Sequence, residues 1–465
     1  GDVLDGSGSG DNDTFNVIQT TAVALPTGAQ VTNIETMNVT SGGTVTLDAT
    51  GFTGLTSLNT IGVAGATVTS AATTATSISD SALAGTNIVA NGGSTVTVAA
   101  IGHGTGTITV GGTTAAAGVV SVTSTGVYAD GANNTVGAIT VTGGTSISVI
   151  ANSGLTAAQL TAQTTDTTNF TETLSAINAT GSASTTTVSV TQSAQVTEVD
   201  SAAIGVIGIT AGAVTVADGN AASASDTLTT VTLANFGNST IASAALSTLN
   251  ITGGAVASGT LGLNISAADT STFATTLNLN STGGSMGAIT GTQAAKYTTV
   301  NFDSAAASTI ADITFAAATA LNFSGAGVTT ISATTGVGAV TAINSTGTGG
   351  MTIGAALGTA VAVTGGAGAE TISIGTTTKD ISLGDGNDTV TTSSAAAATG
   401  ITVAAGGGTG DKIIMTDTLA AGADGSAVFN AAFTGFETLQ ISDAFVTDDL
   451  DLDGLNEVST VILAA

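Results

Sequence analysis

Apolar and polar residues alternate in short runs along most of the chain. Residues 94–98 (STVTV), 107–110 (TITV) and 187–190 (TVSV) show this period of two, which is typical of strands with one buried face. The runs are rich in threonine and valine, which favour strands, and no apolar spacing of 3.6 residues accompanies them. The pattern predicts an all-β protein with little helix.

Asparagine recurs between apolar residues at a nearly regular interval, close to that of one coil of a solenoid. The residues are Asn250, Asn278, Asn301, Asn322 and Asn344, together with Asn38 and Asn59 near the N-terminus. A repeat near ~22 residues made of strand-forming residues predicts a parallel β-solenoid (β-helix), with stacked coils about 4.8 Å apart and hydrogen bonds between buried asparagines. Glycine pairs between the runs supply the corners.

The charge of the chain limits its partners. Charged residues make up 7%, the formal net charge is −28, and the basic side chains are three lysines and no arginine. Nucleic acid is excluded as a partner, because phosphate binding depends on Lys and Arg to release counterions, whereas a metal cation fits. Aromatic residues make up only 3% and Trp and Cys are absent, so the core must be thin and aliphatic, which suits stacked short strands.

The composition also bears on location. The absence of cysteine is compatible with a reducing compartment and with an extracellular location. The scarcity of lysine and arginine argues against the cytosol and favours an extracellular protein. No purely apolar run of about 18 residues exists, so we expect no membrane span. The sequence begins at Gly1 without methionine or a signal peptide, and we expect that the true N-terminus is missing.

Two glycine-rich segments carry the most specific signal. Residues 365–372 (GGAGAETI) and 384–390 (GDGNDTV) fit the nonapeptide G-G-x-G-x-D-x-U-x, with Glu370 and Asp388 at the acidic position. Such glycine turns direct carbonyl oxygens at a calcium ion and the acid supplies an anionic oxygen. The two acids are separated by two nonapeptides, which predicts that they stack across one turn with one calcium ion between them.

The expected ligands of this ion are the two carboxylates and four glycine carbonyls, at about 2.3–2.6 Å. The glycines are Gly366, Gly368, Gly384 and Gly386. The nonapeptide between the two loops has Lys379 in place of the acid, so only one side of the roll is expected to bind metal.

Two looser matches to the same pattern occur elsewhere. The loop at 406–413 (GGGTGDKI) contains Asp411, which follows Asp388 by the length of one long coil. Near the start, residues 4–15 contain Asp11 and Asp13, of which Asp13 aligns best with the liganding acid. These acids are further candidate calcium ligands.

A cluster of acids near the C-terminus has two interpretations. Asp449, Asp451 and Asp453 resemble the opening of an EF-hand loop, but the twelfth position is Thr460 where a bidentate Glu is required. We therefore reject an EF-hand. The acids either lie on a solvated strand face or form a calcium site that another loop or subunit completes.

Catalysis has little support. His103 is the only histidine, so a cluster of metal-binding histidines is impossible and a Ser-His-Asp triad would depend on this residue. Its glycine neighbours predict a position at a solenoid corner. We expect that the protein is not an enzyme.

The nonapeptide loops, the segment 24–42 and the run 364–390 resemble the Caulobacter-type surface-layer (S-layer) protein with RTX repeats. The likeness touches both ends of the chain and its Thr/Ala/Val/Gly composition. It implies a type I secreted protein that folds on meeting calcium outside the bacterial cell and assembles with copies of itself into a two-dimensional lattice. In that family a separate N-terminal domain holds lipopolysaccharide, and no such domain is evident here.

The resulting division of the chain has four parts: an RTX-like calcium loop at 1–17, a β-solenoid at 18–360, an RTX β-roll at 361–415, and terminal β-coils with the acidic cluster at 416–465. The segments 34–37 (IETM) and 436–439 (FETL) resemble each other, which suggests that the outer portions share an ancestor. Two alternatives remain open: a secreted RTX-type adhesin, which shares the composition, and, with less support, a solenoid enzyme that acts on polysaccharides.

Overall fold

A computed structural model shows that the protein is all-β, with 4% helix. The predicted fold class is therefore confirmed. The structure describes residues 3–6, 8, 11–26, 28–81, 85–126, 134–153, 170–193, 207–220, 225–252, 258–265, 269, 271–446, 450–451, 454–455 and 457–463.

The chain folds into two compact units. The first contains Gly1–Leu246, Gly254–Gly259 and Asn264–Thr272, and the second contains Ser247–Gly253, Thr260–Leu263 and Phe273–Ala465. Each is a stretch of parallel β-solenoid, and the coils number about 18 in all.

The first unit has two long parallel ladders and two short ones. The strands of its first ladder are Thr14–Gln19, Thr36–Ser41, Ser57–Gly62, Ala75–Asp80, Thr95–Ile101, Val119–Thr125, Ser146–Asn152, Thr187–Ser193 and Thr230–Ala234. Those of the second are Val23–Ala24, Val45–Asp48, Ala66–Ser70, Ile88–Gly92, Ile108–Val110, Ile139–Thr142, Ile177–Thr180, Val214–Ala217 and Ser239–Ala242. The short ladders are Asn134–Val136, Phe170–Leu174 and Ile207–Thr210, and Val3–Asp5 with Gln30–Thr32.

The second unit is arranged in the same way. The strands of one long ladder are Thr248–Thr252, Thr276–Ser281, Thr299–Ser304, Ala320–Ser324, Ala342–Ser345, Ala362–Thr364, Ile381–Ser382, Val403–Ala404 and Phe433–Thr434. Those of the other, called the threonine ladder below, are Gly284–Met286, Ser308–Asp312, Thr329–Ala333, Met351–Ala356, Glu370–Ile374, Thr389–Thr392, Lys412–Met415, Thr438–Ile441 and Thr460–Leu463. A short pair joins Leu261–Leu263 to Ile289–Thr290.

Aliphatic side chains fill the interior because alternate residues of the strands between the first and last coils point inward. In the first unit, Val96, Val120, Ile147, Val188 and Val231 stack in register on successive coils, and each is at most 1% exposed. Burying one such side chain contributes about 1.5–3 kcal/mol. The thin aliphatic core expected from the composition is therefore present.

The asparagine repeat forms hydrogen-bonded ladders, as predicted. In the second unit, Nδ2 of Asn301 donates to Oδ1 of Asn278 at 2.7 Å, Asn322 to Asn301 at 2.7 Å, and Asn344 to Asn322 at 2.8 Å. In the first unit, Asn59 donates to Asn38 at 2.9 Å.

Two details of that prediction were wrong. The asparagines lie on the outer face of the coils and are half-buried, because the apolar neighbours on either side occupy the inward positions. In addition, Nδ2 of Asn280 donates to Oδ1 of Asn250 at 2.8 Å, whereas Asn278 lies opposite Thr248 in the ladder. A longer coil at this point shifts the register by an even number of positions, which keeps the inward face unchanged.

The segment 416–465 contains helix as well as strand, which the sequence interpretation did not anticipate. Two short helices, Asp417–Ala423 and Ala427–Ala432, follow a strand of the threonine ladder, and a 3₁₀ turn occurs at Ala294–Lys296. Thr416 and Ser426 cap the two helices by accepting hydrogen bonds from Leu419 N and Phe429 N. Within the described ranges, none of the helices combines the length and the apolar character needed to cross a membrane.

Candidate metal centre

Four acids stack at the start of the threonine ladder, and we call them the acid column: Glu370, Asp388, Asp411 and Glu437. The strand register places Thr371 opposite Thr389, Thr389 opposite Lys412 and Lys412 opposite Thr438. The acid that precedes each of these residues is therefore equivalent from coil to coil. The interval from Glu370 to Asp388 and the longer interval from Asp388 to Asp411 both correspond to one coil, as the sequence predicted.

The carboxylates of Asp388, Asp411 and Glu437 each accept a hydrogen bond from the backbone of the preceding coil. Oδ1 of Asp388 accepts a hydrogen bond from the backbone N–H of Glu370 at 2.7 Å, and Oδ1 of Asp411 accepts one from Asp388 N at 2.7 Å. Oε2 of Glu437 accepts one from Asp411 N at 2.8 Å. The carboxylates therefore lie between coils, where one group can contact both.

Three of the four acids of the column are deeply buried, and their carboxylates are only partly satisfied. Glu370, Asp388 and Asp411 are each 0% exposed. Among the described residues, Oδ2 of Asp388 and Oδ2 of Asp411 have no hydrogen-bond partner. The hydroxyl group of Ser345 and the backbone N–H of Gly366 lie near the Glu370 carboxylate and partly offset the effect of burial on its pKa. A buried carboxylate needs a counter-charge or a proton, and unpartnered carboxylate oxygens are ligands that calcium prefers. The unpartnered oxygens of Asp388 and Asp411 are therefore candidate ligands for a calcium ion.

Burial also shifts the pKa values of the carboxyl groups in the acid column. Burial raises the pKa of Glu370 to about 7, and the charge of Asp388 contributes to the rise. Burial also raises the pKa of Asp388 to about 6, with a contribution from the charge of Asp411, and it raises the pKa of Asp411. The charged forms are therefore disfavoured until an added cation or a proton compensates them.

Glycine allows the loops of neighbouring coils to stack closely. Gly384 has a φ of 94° and Gly386 a φ of 133°, and a Cβ atom at these positions would meet the carbonyl oxygens of Gly366 and Gly368 respectively. The expectation that the glycine carbonyls are free does not hold throughout. Gly366 O accepts a hydrogen bond from Asp385 N at 2.7 Å, and Gly384 O accepts one from the next coil at the same distance.

Glu437 was not among the candidate residues from the sequence. It follows Asp411 by a longer interval than separates the other acids of the column, because the two helices lie between them. The available signal was the likeness of 436–439 to 34–37, since Glu35 occupies the matching place near the N-terminus.

The first unit contains a smaller acidic cluster of Asp11, Asp13 and Glu35. Carboxylate oxygens of the three residues lie within 4.8 Å of one another, and Glu35 Oε2 accepts a hydrogen bond from Asp13 N at 2.9 Å. Partial burial raises the pKa of Asp13, with contributions from the charges of Asp11 and Glu35. The N–H to carboxylate contact repeats that of the acid column, but these side chains are accessible to solvent.

The C-terminal candidates can be described only in part. Asp449 and Asp453 lie outside the described residues. Asp451 is exposed and lies outside any strand, so it is not on a strand face; its backbone N–H donates to Asp424 Oδ2 at 2.9 Å.

His103 is 1% exposed and its Nε2 lies 2.8 Å from the carbonyl oxygen of Thr86. The preceding Gly102 has a φ of 71°. The histidine therefore lies at a glycine corner, as expected, with a hydrogen bond to the backbone of the neighbouring coil.

Comparisons with known proteins add no identification. The chain matches no protein-family model and no curated protein.

Proposed function

We propose that the chain is a calcium-dependent structural protein of a bacterial cell surface that assembles with copies of itself into a two-dimensional surface layer. The observation that carries the proposal is the acid column, where buried carboxylates with unpartnered oxygens lie between successive coils of a solenoid. A β-solenoid is compatible with a structural or adhesin-like protein.

The acid column supplies a reason for calcium dependence. Without a cation the ionised carboxylates of Glu370, Asp388 and Asp411 repel one another in a buried site, which opposes stacking of their coils. Calcium, when bound, supplies the compensating charge. Millimolar external calcium matches the ~10⁻⁴–10⁻³ M affinities of extracellular modules, so folding would follow export from the cell.

The outer face of the threonine ladder supports assembly. Equivalent positions on its successive coils are Thr309, Thr330, Thr352, Thr371, Thr389, Lys412, Thr438 and Thr460. Only one of these side chains is charged, so packing this face against another molecule desolvates a single charge, and the threonine hydroxyl groups can exchange water for hydrogen bonds across the contact.

The proposal assigns no catalytic role. An outer groove of about 520 Å³ runs along the asparagine ladder of the second unit, and Asp303 is the only carboxylate among the described residues that line it. Most glycoside hydrolases require a pair of carboxylates flanking the scissile bond.

Electron microscopy of the purified chain tests the proposal. We expect ordered sheets in calcium, and their dispersal when a chelator is added in excess. Soluble rods that bind bacterial cells would favour the adhesin instead. Sheets that persist unchanged in chelator would show that calcium is incidental to assembly.

A further inference from the structure

The outward residues on the first ladder of the first unit are uncharged, and we call them the neutral face. They lie on the eight strands from Thr14–Gln19 to Thr187–Ser193, and the strand register aligns them in three rows that cross the coils. The first row is Thr14, Thr36, Ser57, Ala75, Thr95, Val119, Ser146 and Thr187. The second is Asn16, Asn38, Asn59, Ser77, Thr97, Ser121, Ser148 and Ser189. The third is Ile18, Thr40, Ile61, Ser79, Ala99, Thr123, Ile150 and Thr191.

The third row of the neutral face presents isoleucine to solvent. Ile18 is 77% exposed, Ile61 55% and Ile150 41%, although isoleucine is among the residues most often buried in folded proteins. Along this row an apolar side chain and a hydroxyl side chain alternate from each coil to the next. Apolar residues gathered on one exposed face mark a contact surface.

The lack of charge suits the neutral face to contact with a second copy of the chain. Each copy carries a formal net charge of −28, so two copies repel each other wherever their acids meet. The second ladder of the same unit, by contrast, has Asp48 at an exposed outward position. Contact through the neutral face brings no carboxylates together and desolvates no charge.

The neutral face is also large enough for a stable contact. Neighbouring strands lie about 4.8 Å apart, and outward residues follow one another at about 7 Å along a strand. Eight strands and three rows therefore cover roughly 700 Å². A standard-size interface buries about 800 Å² on each partner, so this single face approaches the area that a specific pair of proteins needs.

We infer that the neutral face joins two copies of the chain about a two-fold axis that runs parallel to the strand Thr95–Ile101. Such an axis reverses the order of the coils in the second copy and keeps each row opposite itself. In the third row, Ile61 then lies opposite Ile150 of the second copy, and Ser79 lies opposite Thr123. Apolar side chains thus meet apolar ones and hydroxyl groups meet hydroxyl groups, as a self-complementary contact requires.

The first row fits the same axis independently. There Val119, which is 49% exposed, lies opposite Ala75 of the second copy, and Ser146 lies opposite Ser57. On the axis itself, Ile101 lies opposite Ile101 of the second copy, and this side chain is 54% exposed. One axis therefore covers exposed apolar side chains on both edges of the face.

The inference deepens the proposed function and rests on it for its setting. A two-fold contact closes on itself, so a layer that grows in two dimensions needs a further contact surface. The threonine ladder supplies that surface, and it belongs to the second unit, whereas the neutral face belongs to the first.

Crosslinking of the full chain in dilute solution with calcium tests the contact. The chain has no cysteine, so one introduced thiol reports on one position. Sheets packed face to face lie about 10 Å apart, and a thiol crosslinker of about that reach should convert Ala99→Cys, which lies on the axis, into a covalent dimer on a denaturing gel. Thr67→Cys is the matched control, because Thr67 points outward from the second ladder of the same unit, and it should give none. Equal yields from the two variants, or no dimer from Ala99→Cys, would overturn the inference.

Charge substitutions test the pairing of Ile61 with Ile150. In the Ala99→Cys background, Ile61→Lys or Ile150→Glu alone sets a charge against an isoleucine, and the protein concentration that gives half-maximal crosslinking should rise at least about tenfold. Both side chains are exposed, so neither substitution should change the urea unfolding of the chain.

The variant with both substitutions brings opposite charges together across the contact. It should crosslink at a lower concentration than either single variant. The two positions lie four coils apart in the same row, a distance of about 19 Å, so an ion pair within one copy cannot produce this rescue. A double variant that crosslinks no better than the single variants would contradict the axis.

Electron microscopy of the same samples separates the inference from the proposed function. Covalent dimers from Ala99→Cys in samples without sheets would support the two-fold contact and contradict the surface-layer proposal. Sheets that yield no covalent dimer would overturn the two-fold contact and leave the surface-layer proposal intact.

Discussion

Replacement of Asp388 by Asn should have opposite effects on stability in the absence and in the presence of calcium. Asn retains an oxygen that can accept the hydrogen bond from Glu370 N, so the contact between the two coils is preserved. The substitution removes only the buried negative charge between Glu370 and Asp411. In a chelator at pH 8 the variant should therefore be more stable than the wild type.

The size of this effect follows from the pKa of Asp388. The pKa rises from 3.8 to about 6 in the folded chain, so the folded state binds the proton more tightly than the unfolded state. Above both values this difference opposes folding. A rise of this size corresponds to at most roughly 3 kcal/mol, and screening by nearby water reduces it. We therefore expect calcium-free Asp388→Asn to be stabilised by about 1–2 kcal/mol.

Calcium should make the wild type more stable than Asp388→Asn. At a calcium concentration about 100-fold above Kd the wild type gains about 2.7 kcal/mol, whereas the variant lacks an anionic ligand and should gain little. Urea unfolding with chelator and with calcium measures both quantities. Asp380→Asn is a matched control, because Asp380 is an exposed acid of the same unit that accepts a backbone hydrogen bond from Thr402 at 3.0 Å.

We expect the control to show the same calcium gain as the wild type. If Asp388→Asn is destabilised in chelator by as much as in calcium, the carboxylate is a favourable structural acceptor and the argument from buried repulsion is wrong.

Three further predictions concern pH, glycine and packing. Without calcium, the unfolding free energy should fall as pH rises from about 4.5 to about 7, because the pKa of the Glu370 carboxyl is raised from 4.5 to about 7 in the folded chain. Urea unfolding at several pH values measures this slope, which saturating calcium should flatten. An unfolding free energy that rises with pH in the absence of calcium would contradict the prediction. Gly386→Ala should cost at least about 1–3 kcal/mol because of its positive φ, whereas Gly338→Ala, with open space around the added methyl group, should change the unfolding free energy little. The ring of Phe323 stacks on a phenylalanine ring of the adjacent coil, with 5.0 Å between the ring centroids, and the residue is 1% exposed. Phe323→Ala should therefore lower the unfolding free energy by about 3–5 kcal/mol, whereas Asn322→Ala, at a half-buried position, should lower it by about 1 kcal/mol. Equal losses in the two variants would place the stabilising contacts outside the core.

Much of the solenoid could be predicted because its signals are local and periodic. Alternation marks the inward residues of each strand, and a recurring Asn or acid marks the length of a coil. Glu370 and Asp388 could be stacked from their spacing in the sequence alone, because coils of constant length bring equivalent positions together.

Positions after a long or irregular coil were not predictable in the same way. The free energy of closing a loop changes slowly with its length, so coils can hold extra turns or helices without a mark in the periodicity. This is why the pairing of Asn250 with Asn280 and the inclusion of Glu437 in the acid column emerged only from the folded chain.

The sequence by itself determined the period, the aliphatic interior, the excess of negative charge and the acids that recur once per coil. Only the tertiary structure decided which of these acids are buried and left without partners. Burial depends on what the neighbouring coil places over a side chain, so Asp388 is enclosed while Asp380, a short distance before it in the chain, remains exposed.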